Sequence, residues 1–284
     1  MLMLLGFIVL LACLVIGVRR GGIGLAAVSA IGLIFFIFVM HLNPGKPPVD
    51  VMLTIMAVVT CSAFLQASKG LDVMLKYAEK FLRSNPQYIT ILAPITTWVL
   101  AVLCGTGHVV YAMFPLIYDI AIKQNIRPER PMAVSSIASQ MGVCASPASV
   151  AVVSVVAILG ASPHPFGVMQ ILSVSIPATF FGVVMAGLWS LNRGKDLDKD
   201  ELFQAKIADP EQKAFVYGDL ADKSLVNLKL PASAYKAAII FLLGIVVIAI
   251  FGSFPQLLPK FADAKGVMKP FSMTPTIQLI MLAI

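Results

Sequence analysis

The chain has 284 residues, of which 59% are hydrophobic and only 12% are charged, and its mean hydropathy is +0.92. Average soluble domains carry about 25% charged residues. The charges are clustered, which leaves apolar runs as long as the roughly 20 helical residues that cross a bilayer core. This composition predicts an all-α polytopic membrane protein. It argues against soluble enzymes and nucleic-acid-binding proteins, despite a net charge of +7.

Eight apolar segments follow one another along the chain, separated by polar stretches. They cover residues 2–18, 22–42, 49–67, 88–122, 131–160, 165–191, 235–253 and 271–284. The first is as apolar as a signal peptide, but no basic residue precedes it and no small-residue cleavage site follows it. We therefore interpret it as the first transmembrane helix.

Basic residues indicate which ends of these segments face the cytoplasm. Most of the 21 Lys and Arg residues fall in four groups, at 19–20, 69–83, 123–130 and 193–236. Because short cytoplasmic loops are enriched in Lys and Arg, these groups are placed inside and the N-terminus outside.

Two of the polar stretches differ in pattern. Residues 69–83 alternate apolar and charged faces at the period of a helix, with Glu79 and Arg83 on the charged face. This pattern favours an interfacial helix on the inner membrane surface over a binding surface. Residues 192–234 are polar and predict a cytoplasmic linker.

The linker separates two hydrophobic units. Residues 1–191 are interpreted as a first membrane repeat, with scaffold helices in 2–67 and a last helix at 165–191, and 235–284 as the incomplete start of a second. Segment 88–122 has charged flanks at both ends, so it crosses the membrane an even number of times. The first unit then crosses an odd number of times, and the second begins on the opposite side. This predicts an inverted-topology repeat, which is common in secondary transporters.

Segment 88–122 contains a turn in its middle. Gly105, Thr106 and Gly107 divide it into arms of roughly 16 and 15 residues, each shorter than the roughly 20 that span a bilayer. Two short arms predict a re-entrant hairpin, because non-helical backbone within the membrane must be buried in protein or line a wet cavity. Thr106 is a candidate cap for the returning arm. The alternative is a pair of tilted helices joined by an outer loop.

Segment 131–160 is interrupted as well. Pro147 removes a backbone donor and disfavours helix at Ser146, which predicts a break between two half-helices. Ser146 or Ser149 could cap the second half-helix. A continuous membrane helix is the alternative, because Pro and Ser are common in such helices.

Each interruption opens a half-helix N-terminus, and two such ends suit an anion. Free N–H groups and the helix dipole attract a carboxylate. They do not by themselves offset the cost of removing a carboxylate from water, so hydrogen-bond donors must contribute. The candidate donors are Thr106, Ser139, Gln140, Ser146 and Ser149. With no Lys or Arg in the membrane core, the pattern indicates a low-affinity site for a small carboxylate.

His108 is the ionisable residue at the hairpin tip. A polar group within the membrane points to a function, and His108 could donate to a substrate or relay a proton. A structural hydrogen bond to a neighbouring carbonyl is the alternative. His41 and His164 fall at outer loop edges and are interpreted as incidental.

Six stretches of the chain carry a family resemblance. They are LNPGKPPVDVM (42–52), QASKGLDVML (66–75), LCGTGHVVY (103–111), NIRPERPMAVSSIASQMG (125–142), ASPASVAVVS (145–154) and RGKDLDKDE (193–201). They resemble the anaerobic C4-dicarboxylate transporters, the Dcu family, over essentially the whole chain. The GTGH tip, HLNPGKPP and RGKDLDKD are more similar to the DcuB type than to the DcuA type.

The resemblance implies a secondary transporter that exchanges fumarate, malate and aspartate for succinate across the bacterial inner membrane during anaerobic respiration, with a periplasmic N-terminus. It also implies the fold of a wider ion-transporter superfamily, with inverted repeats, re-entrant hairpins and broken helices. The tip residues Gly105, Thr106, Gly107 and His108 and the break residues Ser146, Pro147 and Ser149 would then form half of the substrate site.

Members of this family are considerably longer than this chain. The resemblance therefore implies that the second hairpin, its broken helix and the other half of the site are missing, as in a fragment or a truncated gene product. A chain without them is expected to exchange no fumarate for succinate.

Other classes of protein fit the sequence less well. An intramembrane serine hydrolase needs an activated Ser beside a base, and neither GTGH nor CASPAS provides one. The resemblance also allows a regulatory role as the membrane partner of a C4-dicarboxylate sensor kinase, and assembly into a homo-oligomer. No enzymatic activity, cofactor, metal or nucleic-acid partner is expected.

Overall fold

The structure, a computed structural model, describes residues 2–43, 49–160, 166–218, 228–262, 268–271 and 273–284. Its helices are α1 (Leu2–Arg20), α2 (Gly22–Ile34, continued by a π-helical turn at Phe35–Val39), α3 (Val49–Ala67), α4 (Gly70–Ser84), α5 (Ile89–Cys104), α6 (Val109–Lys123), α7 (Glu129–Cys144), α8 (Val150–Gly160), α9 (Val168–Ser190), α10 (Glu201–Ile207), α11 (Pro210–Tyr217), α12 (Ala232–Ser253) and α13 (Met273–Ala283). Two short strands, β1 (Lys260–Ala262) and β2 (Met268–Pro270), lie between α12 and α13. His164 and residues 44–48 of the first family stretch lie outside the described ranges.

Several of these helices are long and apolar enough to cross a membrane. Within the described ranges there are four, Met3–Arg20, Pro86–Cys104, Val168–Ser190 and Ala232–Ser253, or five if α3 and α4, bent by 70°, count as one broken span. The predicted all-α polytopic membrane fold is confirmed. The antiparallel pair of β1 and β2, with Lys260 opposite Pro270, is a small addition that the apolar periodicity did not indicate.

The chain divides into two compact units, residues 1–48 and 49–284. In the first, α1 and α2 pack closely where small residues meet: a Cβ added to Gly32 would lie 2.9 Å from the Cys13 sulfur. Small residues of this kind let membrane helices approach each other. Most large side chains of α1 are exposed, for example Phe7 at 60%. An exposed apolar surface of this kind is stable in lipid, since lipid tails are as apolar as the side chains.

The second unit has a core formed mainly by α3 to α9, α12 and α13, in which Leu82, Ile89 and Met113 are fully buried. Gly142 lets α7 cross α5, because a Cβ there would lie 2.7 Å from both the Trp98 carbonyl oxygen and the Ala101 Cβ. This close crossing orders the two interrupted segments relative to each other.

The stretch predicted as a linker is more structured than its polar composition indicates. In its described part, α10 and α11 follow a short 3-10 turn, and Leu197 and Val216 pack on Ile122 at the end of α6. The reason is local: Asp200 and Asp209 accept hydrogen bonds from the first N–H groups of α10 and α11 and so cap them.

Candidate functional site

Helices α5 and α6 form a hairpin around the Gly-Thr-Gly turn. α5 has 16 residues and ends at Cys104, and α6 has 15 residues and begins at Val109. Gly105 is left-handed, with φ at 67°, a conformation that costs a residue with a Cβ about 1–2 kcal/mol. Glycine is therefore required where the chain leaves α5.

The tip of the hairpin packs against the chain between α7 and α8. A Cβ added to Gly105 would lie 2.9 Å from the carbonyl oxygen of Ala148, and one added to Gly107 would lie 2.5 Å from the amide nitrogen of Gln140. Gly105 thus permits an approach to the Ala148 backbone that a Cβ would prevent, and Gly107 leaves room for the Gln140 amide. We call this packing the tip–break contact. It brings the two interruptions together at one place.

Residues 145–149 interrupt the helical segment formed by α7 and α8, where the sequence predicts a break. Ser149 accepts a hydrogen bond at 3.1 Å from a backbone N–H in the first turn of α8, so it is the N-cap of that helix. Ser146 accepts one at 3.2 Å from the Ala148 N–H within the turn. Of the two candidate caps, Ser149 therefore takes the role.

The serine hydroxyls of the predicted site differ in whether their protons are already donated in hydrogen bonds. Ser146 and Ser149 are buried, and no acceptor for either hydroxyl proton lies among the residues that the structure describes. Ser139 is buried too, but its hydroxyl donates to the Ser136 carbonyl at 2.8 Å. Ser146 and Ser149 are thus the serines whose protons can be donated to an anion.

The remaining candidates lie on or beside the turn. Thr106 accepts a hydrogen bond at 3.3 Å from the His108 N–H, and α6 itself starts without a side-chain cap. Thr106 therefore stabilises the turn, and its predicted role as the cap of the returning arm is wrong. The His108 ring is exposed and stacks on Tyr111 with ring centroids 6.0 Å apart. Gln140 is exposed and holds its amide over Gly107.

Four charged side chains form what we call the basal charge cluster, at the other end of the hairpin. Arg83 lies 2.8 Å from Glu79 and 2.9 Å from Asp119, and Lys123 lies 2.7 Å from Asp119. The two carboxylates are buried, with Glu79 2% and Asp119 4% exposed. Asp119 thus pairs with cations from two helices, Arg83 of α4 and Lys123 of its own helix α6. The placement of Glu79 on an exposed face is wrong, because Asp119 of α6 closes over the pair.

The cluster also fixes the two ends of the hairpin. Arg83 precedes α5 and Asp119 lies in the last turns of α6, so their ion pair holds the entry and the exit of the hairpin together. Helical periodicity shows that Glu79 and Arg83 share a face, but it contains no information about a partner on another helix. An acidic residue inside an apolar segment was the signal that could have indicated the cluster.

Two small residues near the hairpin were not identified from the sequence. The Ser62 hydroxyl lies 3.5 Å from the Cys104 carbonyl and links α3 to the last turn of α5. Gly142 allows the close crossing of α5 and α7 described above. The signal for both is a small residue in an apolar helix. Such a residue indicates that another helix packs closely there, but it does not indicate which helix.

Comparison with known proteins shows a family over the whole chain. Residues 2–284 match the model of the anaerobic C4-dicarboxylate membrane transporters. The chain is 53% identical to the anaerobic C4-dicarboxylate transporter DcuB of Escherichia coli O6:H1 over 99% of its length. It is 34% identical to the C4-dicarboxylate transporter DcuA of Wolinella succinogenes and 33% identical to that of Escherichia coli K12, over 87% and 86% of its length.

These relatives are longer than the chain. It covers 62% of the DcuB sequence and 54% of each of the two DcuA sequences. No solved structure matches. On the match across residues 2–284, the chain belongs to the family of anaerobic C4-dicarboxylate membrane transporters.

Proposed function

We propose that the protein is a secondary transporter of the bacterial inner membrane that exchanges fumarate, malate and aspartate for succinate during anaerobic respiration. The observation that carries the proposal is the tip–break contact. Gly105 packs on Ala148, four residues before α6 begins at Val109 and two residues before α8 begins at Val150, so the turns that lead into the two helix N-termini are in contact. Paired half-helix N-termini are the arrangement by which transporters hold anionic groups.

The substrate site in this proposal is built mainly from groups that carry no charge, with His108 as its ionisable residue. Residues 89–118 and 131–160 contain no Lys, Arg, Asp or Glu. The attraction for a carboxylate then comes from backbone N–H groups and from the hydroxyls of Thr106, Ser146 and Ser149, with Gln140 beside them. Such a site releases its ligand readily, which an exchanger requires, because no Lys or Arg holds the dianion.

The repeat architecture is part of the proposal. Residues 1–191 form the first repeat, 192–234 connect the repeats, and 235–284 begin a second repeat of inverted topology. The ion pair of Arg83 and Asp119 brings the two ends of the hairpin together, which both a re-entrant hairpin and a pair of crossing helices require. The basic residues around these ends make their side cytoplasmic and the N-terminus periplasmic.

The proposal is tested by exchange in proteoliposomes that contain the full-length protein and are loaded with unlabelled succinate. Uptake of radiolabelled fumarate is measured with malate and aspartate as competitors. Ser146→Ala removes one donor to the anion, and a lost hydrogen bond to a charged group lowers apparent affinity roughly tenfold or more. Thr106→Ala and His108→Asn examine the two sides of the turn in the same assay.

Ser173→Ala is the matched control. Ser173 lies on α9, and its hydroxyl donates to the Gln170 carbonyl at 2.8 Å, away from both interruptions. The proposal requires Ser173→Ala to exchange normally. Unchanged exchange by Ser146→Ala, Thr106→Ala and His108→Asn alike would show that the substrate binds elsewhere.

A further inference from the structure

A groove lies between α7 and α9, at the end of α9 that leads into the polar connection. It has a volume of about 460 Å³, and its walls include Ala133, Ile137, Ala186 and Trp189. Ile137 is 59% and Trp189 66% exposed. An apolar groove that is open along a membrane helix faces lipid, and Trp at a helix end is typical of the membrane interface.

Arginines line the mouth of the same groove. Arg127, Arg130 and Arg193 all contribute to its wall, together with Glu129. Two of the three are committed to partners: Arg127 pairs with Asp200 and Glu129, and Arg130 with Asp196 at 2.8 Å. Arg193 forms no ion pair with any residue that the structure describes. It is therefore the cation of the mouth that is free to take a ligand.

The loop that carries Arg193 is held firmly. The Arg130 side chain donates to the Arg193 carbonyl at 2.6 Å and to the Gly194 carbonyl at 2.7 Å. Gly194 is left-handed, with φ at 73°, and a Cβ there would lie 2.6 Å from an Arg127 nitrogen. The loop is thus fixed against α7 by contacts that need this glycine.

The guanidinium group of Arg193 is positioned as well. Its central carbon lies 3.6 Å from the centre of the Trp189 ring. Stacking on the ring face holds the group over the groove and leaves its N–H donors at the edge free. A cation above an apolar groove at the membrane interface matches a lipid, with an anionic headgroup and an acyl chain.

We infer that the groove between α7 and α9 is a binding site for an anionic phospholipid. The phosphate oxygens accept hydrogen bonds from Arg193 at the mouth, and one acyl chain lies along Ala186 and Ile137 between the helices. A small soluble anion would leave the apolar wall unused. The site is separate from the tip–break contact, and it does not depend on which substrate the protein carries.

The fluorescence of Trp189 reports directly on the groove. The chain has two tryptophans, and Trp98→Phe leaves Trp189 as the single emitter. The protein is placed in phosphatidylcholine bilayers that contain either brominated phosphatidylglycerol or brominated phosphatidylcholine, and quenching is titrated. A basic residue at the membrane surface predicts a preference of roughly fivefold for the brominated phosphatidylglycerol.

Two variants separate the headgroup contact from the acyl contact. In the Trp98→Phe background, Arg193→Gln is expected to abolish the preference, while Lys195→Gln, which removes the same charge from an exposed side chain outside the groove wall, retains it. Ala186→Leu fills the groove without changing charge and is expected to reduce the preference as well. Ala186→Leu also keeps the test decisive if Arg193→Gln does not fold.

Several outcomes would overturn the inference. Equal quenching by the two brominated lipids would show that the groove does not select anionic lipid. Equal losses in Arg193→Gln and Lys195→Gln would show a general charge effect. Relief of quenching by succinate or inorganic phosphate, but not by chloride at the same ionic strength, would make Arg193 a site for a soluble anion instead.

Discussion

The two ends of the α5–α6 hairpin accommodate polar groups inside a membrane protein in opposite ways. At the tip, most of the polar groups carry no charge: a left-handed glycine, backbone ends and serine hydroxyls. At the base, the carboxyl groups of Glu79 and Asp119 are buried, and Arg83 lies between them. The tip keeps hydrogen-bond donors unused, whereas the base pairs its carboxylates with cations.

The difference separates binding from anchoring. A buried ion pair is costly to break, so the basal charge cluster can hold the hairpin ends in one position. A neutral site with unpaired hydroxyl protons can accept and release an anion without separating charges. Loss of a basal partner should therefore reduce stability, and loss of a tip donor should mainly reduce transport.

The largest effect on stability is expected from Arg83→Gln. It removes the cation that pairs with both Glu79 and Asp119, and breaking a buried pair of this kind costs about 3 kcal/mol. The free energy of unfolding in mixed detergent micelles measures the loss. Lys80→Gln removes the same charge from an exposed position on the same helix and is expected to change it little. Equal effects of the two variants would mean that the cluster does not anchor the hairpin.

A smaller loss is expected from Gly105→Ala. The variant forces a Cβ into a left-handed conformation and against the Ala148 carbonyl, which costs about 2 kcal/mol. Gly182→Ala in α9 is the matched control, because nothing lies within 4 Å of a Cβ there, and Ala favours helix over Gly by up to about 1 kcal/mol. The free energy of unfolding should therefore fall in Gly105→Ala and rise slightly in Gly182→Ala. An unchanged free energy of unfolding in Gly105→Ala would contradict the close tip–break contact.

The cap of α8 is expected to contribute less. Ser149→Ala removes the acceptor for a backbone N–H in the first turn of α8 and should cost about 1 kcal/mol. It should also weaken exchange, because the same hydroxyl carries a proton for the anion. Unfolding and fumarate exchange are measured on the same preparation. If Ser149→Ala loses stability but exchanges fumarate normally, then Ser149 caps α8 but does not bind the substrate.

The smallest effect is expected from Lys123→Gln. Its ammonium pairs with the same carboxylate as Arg83, but its side chain is 49% exposed, and exposed pairs contribute about 0.2–1 kcal/mol. Arg83 is less exposed, at 31%, and also pairs with Glu79, so the comparison with Arg83→Gln tests burial and a second partner together. A loss as large as that of Arg83→Gln would show that neither of them sets the strength of these pairs.

Sequence patterns predicted the local structure well where the signal is local. The arm lengths around Gly105 and the interruption at Pro147 follow from glycine and proline chemistry, and both helix ends lie where these residues predict them. The periodic pattern of residues 69–83 likewise gave α4 almost to its ends. Each of these features depends on neighbours along the chain.

Contacts between distant segments could not be predicted in this way. Nothing in the spacing of Glu79 and Arg83 indicates Asp119, and nothing in RGKDLDKDE indicates that Arg130 holds the Arg193 loop. These pairs depend on how helices pack, which small residues such as Gly142 decide. For the site, the sequence indicated which residues carry donors, but the availability of Ser146 and Ser149 and the internal use of Ser139 required the structure.

The most direct test of the neutral anion site is substrate protection of a cysteine beside the tip. Gln140→Cys is made with Cys144→Ser, because Cys144 is exposed, and labelling by a maleimide is timed with and without succinate. Succinate is expected to slow labelling at position 140, while chloride at the same ionic strength has no effect and a cysteine replacing Ser173 is labelled at an unchanged rate. Labelling at position 140 that succinate leaves unchanged, under conditions in which the protein exchanges fumarate, would contradict the account.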